Sequence, residues 1–226
     1  MANVILLRHG KVQGQAALYG TTDVAVSDDE NQQLVRQFKA YEQKRAGKCS
    51  HVISSPLIRC KTLAIELTQA LSLPAPSIEP AMQEMYFGRY DGIAFDDIYQ
   101  QVEQWQPLEK FWRDPVQHPL PEAELLTGFS YRVNQAWQAI VQQASQQQDD
   151  LLVVCHGGVI RMILAAVLNL NVRNPLWYTQ LSIGYGSLTK IHIKAHQCRV
   201  KYIARPMHEH SLDNSASLPD FIMEAR

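Results

Sequence analysis

Short apolar runs alternate with amphipathic segments along most of the chain. The clearest run, at 151–155, reads Leu-Leu-Val-Val-Cys and contains no polar residue. Runs of this kind are typical of strands that are buried on both faces of a parallel sheet. The predicted strands lie at 4–7, 51–54, near Ile78, and at 151–155, 186–193 and 198–203.

Capping residues predict two helices in the first third of the chain. Ser27 and Glu30 have the spacing of a capping box, and Gly47 predicts the end of the helix that starts there. Ser55 and Pro56 predict the N-cap and the first residue of a second helix, which follows the second strand directly.

Two further helices are predicted in the second half of the chain. A stripe of apolar residues at helical spacing runs from Phe129 to Ala144, and the polar run 146–150 ends it. Gly157 opens an almost wholly apolar helix that continues to Leu168. Strands that alternate with helices predict an α/β fold, here a three-layer sandwich in which helices flank a mostly parallel central sheet.

The segment 85–126 has no clear period. It contains Trp105, Phe111, Trp112 and several prolines, and we interpret it as loops and short helices that form a small cap over the carboxyl edge of the sheet. Two roles are open for these aromatic residues. They pack the cap against the sheet, or they stack on an aromatic leaving group.

The composition excludes some classes of partner. The 226 residues include 21 Lys and Arg against 22 Asp and Glu, so the net charge is −1. This balance argues against a nucleic acid as the main partner, because such proteins present a basic surface. A local cluster of arginines still fits within a neutral total. We expect one domain, 1–226, with a loosely held tail at about 209–226.

Several features predict a cytoplasmic location. No segment reaches the roughly 18 apolar residues of a membrane span, and Arg8 follows the first apolar run at once, unlike in a secretory signal. The four cysteines, Cys49, Cys60, Cys155 and Cys198, have no close pair spacing. Free thiols in a reducing compartment are the usual state of such cysteines.

Two histidines directly follow two of the predicted strands. His9 lies in an Arg-His-Gly tripeptide after the first strand, and His156 lies in a Cys-His-Gly-Gly sequence after the strand at 151–155. Ligands bind outside the carboxyl ends of the strands in open α/β sheets, so we expect the two histidines to face one pocket. Arg59, in the first turn of the second helix, is expected to reach the same edge.

These residues resemble the histidine phosphatase superfamily, in its phosphoglycerate-mutase-like group. Four blocks carry the resemblance, and they follow the order found in the family. They are Arg8-His9-Gly10, Ser54-Ser55-Pro56-Leu57-Ile58-Arg59, Glu84 before Phe87-Gly88, and His156-Gly157-Gly158. The match extends from about residue 4 to residue 193. One tripeptide recurs by chance, but four ordered blocks in the right structural places are specific.

The resemblance implies a phosphatase that works through a phosphohistidine. His9 would be the nucleophile, and Arg8 and Arg59 would bind the phosphoryl group and lower the pKa of His9. His156 would be a second donor to the phosphoryl group. Glu84 would protonate the leaving oxygen and then activate water. No metal or other cofactor is implied, because the arginines and histidines neutralise the phosphoryl charge.

Loop residues resemble the α-ribazole phosphatase branch of the family. They are Arg8-His9-Gly10-Lys11-Val12, Tyr19-Gly20-Thr21-Thr22-Asp23, Val26-Ser27 and Gly184-Tyr185-Gly186-Ser187-Leu188-Thr189. The resemblance implies α-ribazole 5′-phosphate as the substrate, in the assembly of the cobalamin nucleotide loop. The residues expected to bind the substrate are Gln15, Tyr19, Gly20 and Gly157.

Three positions depart from the family pattern. Val12 stands where the family often has Thr or Ser, Gln15 stands for Asn, and Phe129 stands for the Glu of a Gly-Glu-Ser sequence. The departures leave the His9 chemistry intact and keep the substrate open. The alternatives are another small-metabolite phosphatase or a phosphoglycerate mutase of the superfamily, and, from another class, a catalytically silent phosphoester-binding protein.

A competing interpretation concerns one loop. Cys155 and Arg161 stand in a C-x-x-G-x-x-R pattern, which fits the loop of cysteine-based phosphatases, where a thiolate attacks and the arginine cradles the phosphate. That interpretation gives no role to His9, Arg59 or Glu84. The alternative place for Cys155 is that of a small core residue at the end of a strand.

Two pairs of histidines have the spacing of metal ligands. They are His192 with His196 and His208 with His210. No cysteine or acidic residue with a matching motif accompanies them, so we expect surface histidines and no metal site. The expected partner is a small phosphomonoester, with neither a nucleic acid nor a membrane, and the sequence predicts no oligomeric state.

Overall fold

The computed structural model describes residues 2–45, 47–146, 149–194 and 197–207, and of residues 102 and 104 it describes the backbone alone. Six strands form one sheet in this part of the chain. They are β1 (Ala2–Arg8), β2 (Cys49–Ser54), β3 (Ser77–Ile78), β4 (Asp150–Cys155), β5 (Leu188–Lys194) and β6 (Gln197–Arg205). Their order is β3-β2-β4-β1-β5-β6.

The sheet is parallel from β3 to β1 and antiparallel beyond it. The strands β3, β2, β4 and β1 pair in parallel, and β5 and β6 extend the β1 edge in antiparallel pairs. In the register of β1 and β4, Arg8 pairs with Cys155. The chain therefore leaves both strands at the same edge, and the next residues there are His9 and His156.

Helices cover both faces of the sheet. The α-helices of the described residues are α1 (Asp28–Lys44), α2 (Ile58–Leu71), α3 (Phe95–Tyr99), α4 (Val102–Arg113), α5 (Leu126–Gln146), α6 (Gly157–Val167) and α7 (Pro175–Gln180). Alternate residues of β1 point to opposite faces: Ile5 and Leu7 pack with α1 and α2, and Val4 and Leu6 pack with α5 and α6. The predicted three-layer sandwich with a mostly parallel sheet is confirmed.

The capping box predicted for α1 is only half formed. Ser27 is the N-cap, and its hydroxyl accepts from the backbone N–H of Glu30 at 3.3 Å. The Glu30 carboxylate accepts from the backbone N–H of Lys11 at 2.5 Å, so it ties the loop after β1 to the helix. The helix ends at Lys44, three residues before Gly47.

The start predicted for α2 is wrong by two residues. The helix begins at Ile58 with Leu57 as its N-cap, and not with Ser55 as cap and Pro56 as first residue. The hydroxyl of Ser55 lies 2.7 Å from Nε2 of His156, and the Ser55 backbone N–H donates to β4. Ser55 is therefore engaged in contacts to the neighbouring strand end.

The segment predicted as a cap contains more helix than expected. The twelve-residue α4 lies within it, together with α3 and a 3₁₀ turn at Gly88–Tyr90. The rings of Phe95, Trp105 and Trp112 pack edge to face, with centroids 5.5 Å apart at each contact of Trp112. The helix α7 was not predicted from the sequence either.

Some expectations concern residues outside the described ranges. These are the tail at 209–226, His196, His208 and His210. The Nδ1 atom of His192 lies 3.2 Å from the Asn3 side-chain oxygen. Within the described ranges, no group of three or more His, Cys, Asp and Glu side chains is arranged to hold a metal ion. No helix of the same ranges has the length and apolar character needed to cross a membrane.

Candidate active site

A cavity of about 280 Å³ opens at the carboxyl edge of β1 and β4, under the cap. Charged side chains line its base, and aromatic side chains line its walls. The charged and imidazole groups are Arg8, His9, Arg59, Glu84 and Arg161, and the aromatic groups are Tyr19, Phe87, Phe111, Trp112, Tyr178 and Tyr185. The sequence blocks thus converge on one cavity.

His9 lies at the base of the cavity and is 5% exposed. Its Nδ1 lies 2.7 Å from the carbonyl oxygen of Gly10. A carbonyl oxygen can only accept, so Nδ1 carries the proton and the lone pair lies on Nε2. Burial, together with Arg8 and Arg59, lowers the pKa of His9 well below its usual range. The ring is therefore neutral, with Nε2 available as a nucleophile or base.

Backbone and aromatic groups hold Arg8, and no carboxylate of the described residues pairs with it. Its Nη1 donates to the carbonyl of Ile183, and its Cζ lies 3.8 Å from the centre of the Tyr185 ring. Its Nε is buried and has no hydrogen-bond partner among the described residues. An unmet buried donor costs about 1–3 kcal/mol, so an anion in the cavity would be stabilised by this group.

Arg59 fixes the loop that borders the cavity. The side chain is 1% exposed, and its Nε donates to Nδ1 of His156 at 3.2 Å. Its Nη1 donates to the carbonyl of Thr22 at 3.0 Å, and its Nη2 donates to the carbonyls of Tyr19 and Gly20 at 3.0 and 2.6 Å. Arg59 therefore supplies positive charge beside His9. The N–H groups of its guanidinium also hold the loop in place.

His156 lies beside His9 but behind the cavity wall. The two ring centroids are 5.1 Å apart. Nδ1 of His156 accepts from Arg59, so the proton lies on Nε2, which donates to the Ser55 hydroxyl at 2.7 Å. Burial, with nearby His9, Arg59 and Arg8, lowers the pKa of His156 well below its usual range. Its donation to a phosphoryl group stays a prediction, since protein groups occupy both ring nitrogens.

Glu84 enters the cavity from the segment that follows the 3₁₀ turn at Pro80–Met82. Its Oε1 accepts from the backbone N–H of Met85 at 2.9 Å, and its Oε2 accepts from the backbone N–H of Gly158 at 3.0 Å. A Cβ on Gly158 would lie 2.3 Å from Oε1. The second glycine after His156 therefore lets the carboxylate reach the start of α6.

The four residues predicted to bind the substrate have different positions. Tyr19 and Gly157 line the cavity. Gln15 is exposed and outside the cavity, and its carbonyl accepts from the Tyr19 hydroxyl at 2.8 Å. Gly20 does not line the cavity; a Cβ there would lie 2.1 Å from the carbonyl oxygen of Met85. The structure gives Gly20 a packing role and gives Gln15 no contact with the cavity.

Comparison with protein families agrees with this geometry. The family described as the histidine phosphatase superfamily (branch 1) matches residues 4–205. The chain belongs to this superfamily. It is a phosphatase, a phosphoric monoester hydrolase, as the four sequence blocks predict.

One relative in sequence and two solved structures match most of the chain. A Hydrogenobacter thermophilus protein named "Putative phosphoserine phosphatase 2" is 25% identical over 166 residues, 73% of this chain and 77% of that protein. A mycobacterial glucosyl-3-phosphoglycerate phosphatase has a TM-score of 0.75 at 20% identity, with coverage of 90% and 99%. The α-ribazole phosphatase from Shigella flexneri has a TM-score of 0.72 at 21% identity, with coverage of 89% and 96%. The two structures show the shared fold.

In this histidine phosphatase, Cys155 has the environment of a core residue. Its side chain is fully buried among apolar neighbours and does not line the cavity. Burial raises the pKa of the Cys155 thiol above its usual range. Reactive cysteines need a partly exposed, electropositive environment that favours the thiolate. The geometry therefore argues against the cysteine-based interpretation.

A residue that positions Glu84 was not predicted from the sequence. Arg132 on α5 donates to the carbonyls of Ala81, Gln83 and Glu84 at 2.8, 2.8 and 3.0 Å. Its Nε pairs with the Glu124 carboxylate at 2.7 Å. A polar residue inside the amphipathic pattern of α5 was the available signal, but the sequence does not show which loop it meets.

Arg161 was also missed as a site residue of the histidine-based interpretation. It lines the cavity from the first turns of α6. Arg161 follows Gly157 by four residues, so the two share one face of the helix. The lone charge in an almost wholly apolar helix was the signal in the sequence.

Proposed function

We propose that the protein is a phosphomonoesterase that works through a phosphohistidine on His9, with α-ribazole 5′-phosphate as its substrate. One observation carries the mechanism: a neutral imidazole lies at the base of a cavity beside two guanidinium groups, and no described residue bonds its Nε2. A neutral ring can attack phosphorus, and the positive charge around it favours a phosphoryl dianion.

The first step transfers the phosphoryl group to His9. The dianion takes up the unmet Nε donor of Arg8. The Nε2 lone pair of His9 forms the N–P bond while the ester P–O bond breaks on the opposite side. Glu84 gives a proton to the leaving oxygen, so the product leaves as a neutral alcohol.

The second step returns the enzyme to its starting state. The Glu84 carboxylate takes a proton from water, and the water oxygen attacks phosphorus. The N–P bond breaks, its electron pair returns to Nε2 of His9, and inorganic phosphate leaves. No metal or other cofactor enters either step.

His156 takes part as a donor beside the attacked phosphorus. Its Nε2 donates to the Ser55 hydroxyl at 2.7 Å. A phosphoryl oxygen that displaces this hydroxyl would receive the same N–H bond, and its negative charge would strengthen that bond. The neighbouring backbone at Gly157, in the first turn of α6, adds the positive end of a helix.

The walls of the cavity support an aromatic leaving group. Phe111, Trp112, Tyr178 and Tyr185 line it together with Phe87. Stacking on an aromatic ring contributes about 0.5–1.5 kcal/mol per pair, and the base of α-ribazole 5′-phosphate offers such a ring. An α-ribazole phosphatase is also among the structures with this fold. Phosphoserine, which is small and polar, makes less use of these walls.

We place this activity in a single cytoplasmic domain, 1–226. The supporting observation is the state of the four cysteines, which are all unpaired. Free thiols of this kind are typical of a reducing compartment.

A panel assay tests the proposal. Phosphate release is measured with EDTA present, for wild type, His9→Ala and Cys155→Ser, from α-ribazole 5′-phosphate, phosphoserine, 3-phosphoglycerate, sugar phosphates and p-nitrophenyl phosphate. We expect α-ribazole 5′-phosphate to be preferred at least about tenfold. The loss in His9→Ala is expected to be on the order of 10⁴-fold or more. Cys155→Ser keeps most of the activity, and vanadate inhibits wild type.

Other outcomes separate the alternatives. His9-dependent release from another compound keeps the mechanism and overturns the substrate. Isomerised 3-phosphoglycerate without phosphate release indicates a mutase, and binding without turnover indicates a phosphoester-binding protein. Activity that survives His9→Ala but not Cys155→Ser supports the cysteine mechanism.

A further inference from the structure

Arg161 lines the cavity but has no part in the mechanism above. Its Nε donates to the carbonyl of Leu181 at 2.8 Å, and its Cζ lies 5.2 Å from the centre of the Tyr178 ring. Among the described residues, its Nη1 and Nη2 have no hydrogen-bond partner, and no carboxylate lies within ion-pair distance. The guanidinium is therefore held in place with four N–H bonds left for a ligand.

Arg161 and Arg8 are held by the same short segment. Arg8 donates to the carbonyl of Ile183, and Arg161 donates to the carbonyl of Leu181, two residues earlier. Each guanidinium also lies against a tyrosine ring. The two guanidinium groups therefore bind different carbonyls and lie against different rings, which lets them contact different groups of one small substrate.

The position of Arg161 relative to His9 indicates which part of the substrate it meets. His9 and Arg8 both lie against the Tyr185 ring, at 5.7 Å between the ring centroids and 3.8 Å from Cζ to the centroid. Arg161 lies instead against the ring of Tyr178 in α7. Arg161 therefore lines the part of the cavity beside α7, away from the Tyr185 ring. In-line attack places the leaving oxygen opposite the nucleophile, so the alcohol half of the substrate extends toward this outer part of the cavity.

We propose that Arg161 is a specificity-determining residue that binds acceptor oxygens on the alcohol half of the substrate, a few bonds from the ester oxygen. The inference rests on the proposed phosphatase function and adds the group that the enzyme reads besides phosphate. Arginine presents a planar fork that suits a carboxylate, and single N–H bonds suit hydroxyl oxygens such as those of a ribose. Both sources share one chemistry, an oxygen acceptor on carbon.

A series of three-carbon phosphoesters tests this proposal. Propyl phosphate has no further oxygen, glycerol 3-phosphate adds hydroxyls, and 3-phosphoglycerate adds a carboxylate. We expect Arg161→Gln to lower kcat/KM about 10–100-fold for at least one of the two oxygen-bearing compounds, mainly through KM. The kcat/KM for propyl phosphate should change less than about threefold. The compound whose kcat/KM falls most shows whether Arg161 binds a hydroxyl or a carboxylate oxygen. The kcat/KM for α-ribazole 5′-phosphate is measured in the same series.

A matched variant controls for the loss of one positive charge. Arg113 is exposed at the end of α4 and does not line the cavity. The variant Arg113→Gln should therefore keep kcat/KM within about twofold of wild type for every compound. Equal falls in kcat/KM for all three compounds in Arg161→Gln would overturn the proposal. Arg161 would then bind the phosphoryl group or stabilise the fold. Arg161→Lys should recover part of the binding to a carboxylate, since it keeps the charge without the fork.

Calorimetry separates this inference from the proposed function. The three compounds are titrated into His9→Ala and into His9→Ala/Arg161→Gln, neither of which needs turnover. Weaker binding of an oxygen-bearing compound only in the double variant supports the role of Arg161. Equal affinities in the two proteins overturn it. A wild-type enzyme that hydrolyses no compound overturns the phosphatase proposal, while the calorimetric comparison still decides the role of Arg161.

Discussion

The amino and carboxyl ends of the same central strands both carry buried or partly buried arginines, but their neighbours differ. At the amino ends of β2 and β4, Arg45 lies between two carboxylates. Its Nε is 2.5 Å from Oε2 of Glu42, and its Nη1 pairs with Asp150. Other oxygens of these carboxylates accept from the backbone N–H groups of Cys49 at 2.5 Å and Asn3 at 2.7 Å. Among the described residues, no buried side-chain donor of this cluster lacks a hydrogen-bond partner.

At the carboxyl ends, positive charge is in excess. Arg8, Arg59 and Arg161 share the cavity with one carboxylate, that of Glu84. Backbone N–H groups occupy an acceptor site on each oxygen of that carboxylate. The Nε of Arg8 remains unmet among the described residues.

The two ends carry the same type of residue. They differ in whether the arginine donors have acceptors within the protein, and in the balance of positive and negative charge. One arginine between two carboxylates is satisfied within the protein, so a ligand has nothing to add. Arginines without carboxylates pay a desolvation cost that an anionic ligand relieves. The arginines at the carboxyl end therefore lower the stability of the fold and allow an anion to bind. The cluster at the amino end contributes to stability alone.

Arg8→Met tests the carboxyl end and should give the largest effect. It removes a donor to the phosphoryl group, so we expect kcat/KM to fall about 10³-fold or more. The free energy of unfolding should stay within about 1 kcal/mol of wild type, because a guanidinium whose buried Nε is unmet is replaced by an apolar chain. Steady-state kinetics and urea unfolding of one preparation measure both quantities. A large loss of stability without loss of activity would reverse the roles given to the two ends.

Arg45→Met tests the amino end and should give the opposite pattern. It leaves two carboxylates buried together, so the free energy of unfolding should fall by about 3 kcal/mol. The kcat/KM of the folded protein should stay within about twofold, because Arg45 lies at the far edge of the sheet. In the matched control, Arg45→Met/Glu42→Gln/Asp150→Asn, removal of all three charges should recover much of the stability. Activity that drops as far as in Arg8→Met would contradict the comparison.

The sequence predicted the strands and the inner part of the site because both depend on local pattern. Apolar runs mark strands buried on two faces, and parallel strands end at the same edge. His9 and Arg59 follow from blocks near those ends, Glu84 follows from the family resemblance, and the structure brings the three residues to one cavity. Their catalytic roles stay predictions until the variants are measured.

The missed features depend on partners that are distant in sequence. Ser55 is a good helix cap by type, but its contact with His156 takes it away from α2. Arg161 acquires its position from the carbonyl of Leu181, and Arg132 from carbonyls before α5. A helical period shows which face carries such an arginine, but it does not show which backbone groups meet that face.

A third prediction concerns the pH dependence of stability at the carboxyl end. Burial, with the positive charge of Arg8 and Arg59, lowers the pKa of His9 in the folded state. Burial, His9 and the same two arginines lower the pKa of His156. In the unfolded chain each histidine takes up a proton near pH 6.5. Unfolding therefore binds protons below that pH, so stability is lost as the pH falls through this range. From pH 6.5 to 5.5 we expect a loss of about 1 kcal/mol for each of the two histidines.

The variant His9→Asn isolates one of the two contributions. Urea unfolding of wild type and His9→Asn is measured at pH 6.5 and 5.5, and the loss between the two pH values is compared. Wild type should lose about 1 kcal/mol more than the variant, since other titrating groups are common to both. Equal losses would mean that His9 takes up a proton in the folded state over this range. It would then be a cation and not the neutral nucleophile, and the excess of positive charge at the carboxyl end would be less costly than the comparison requires.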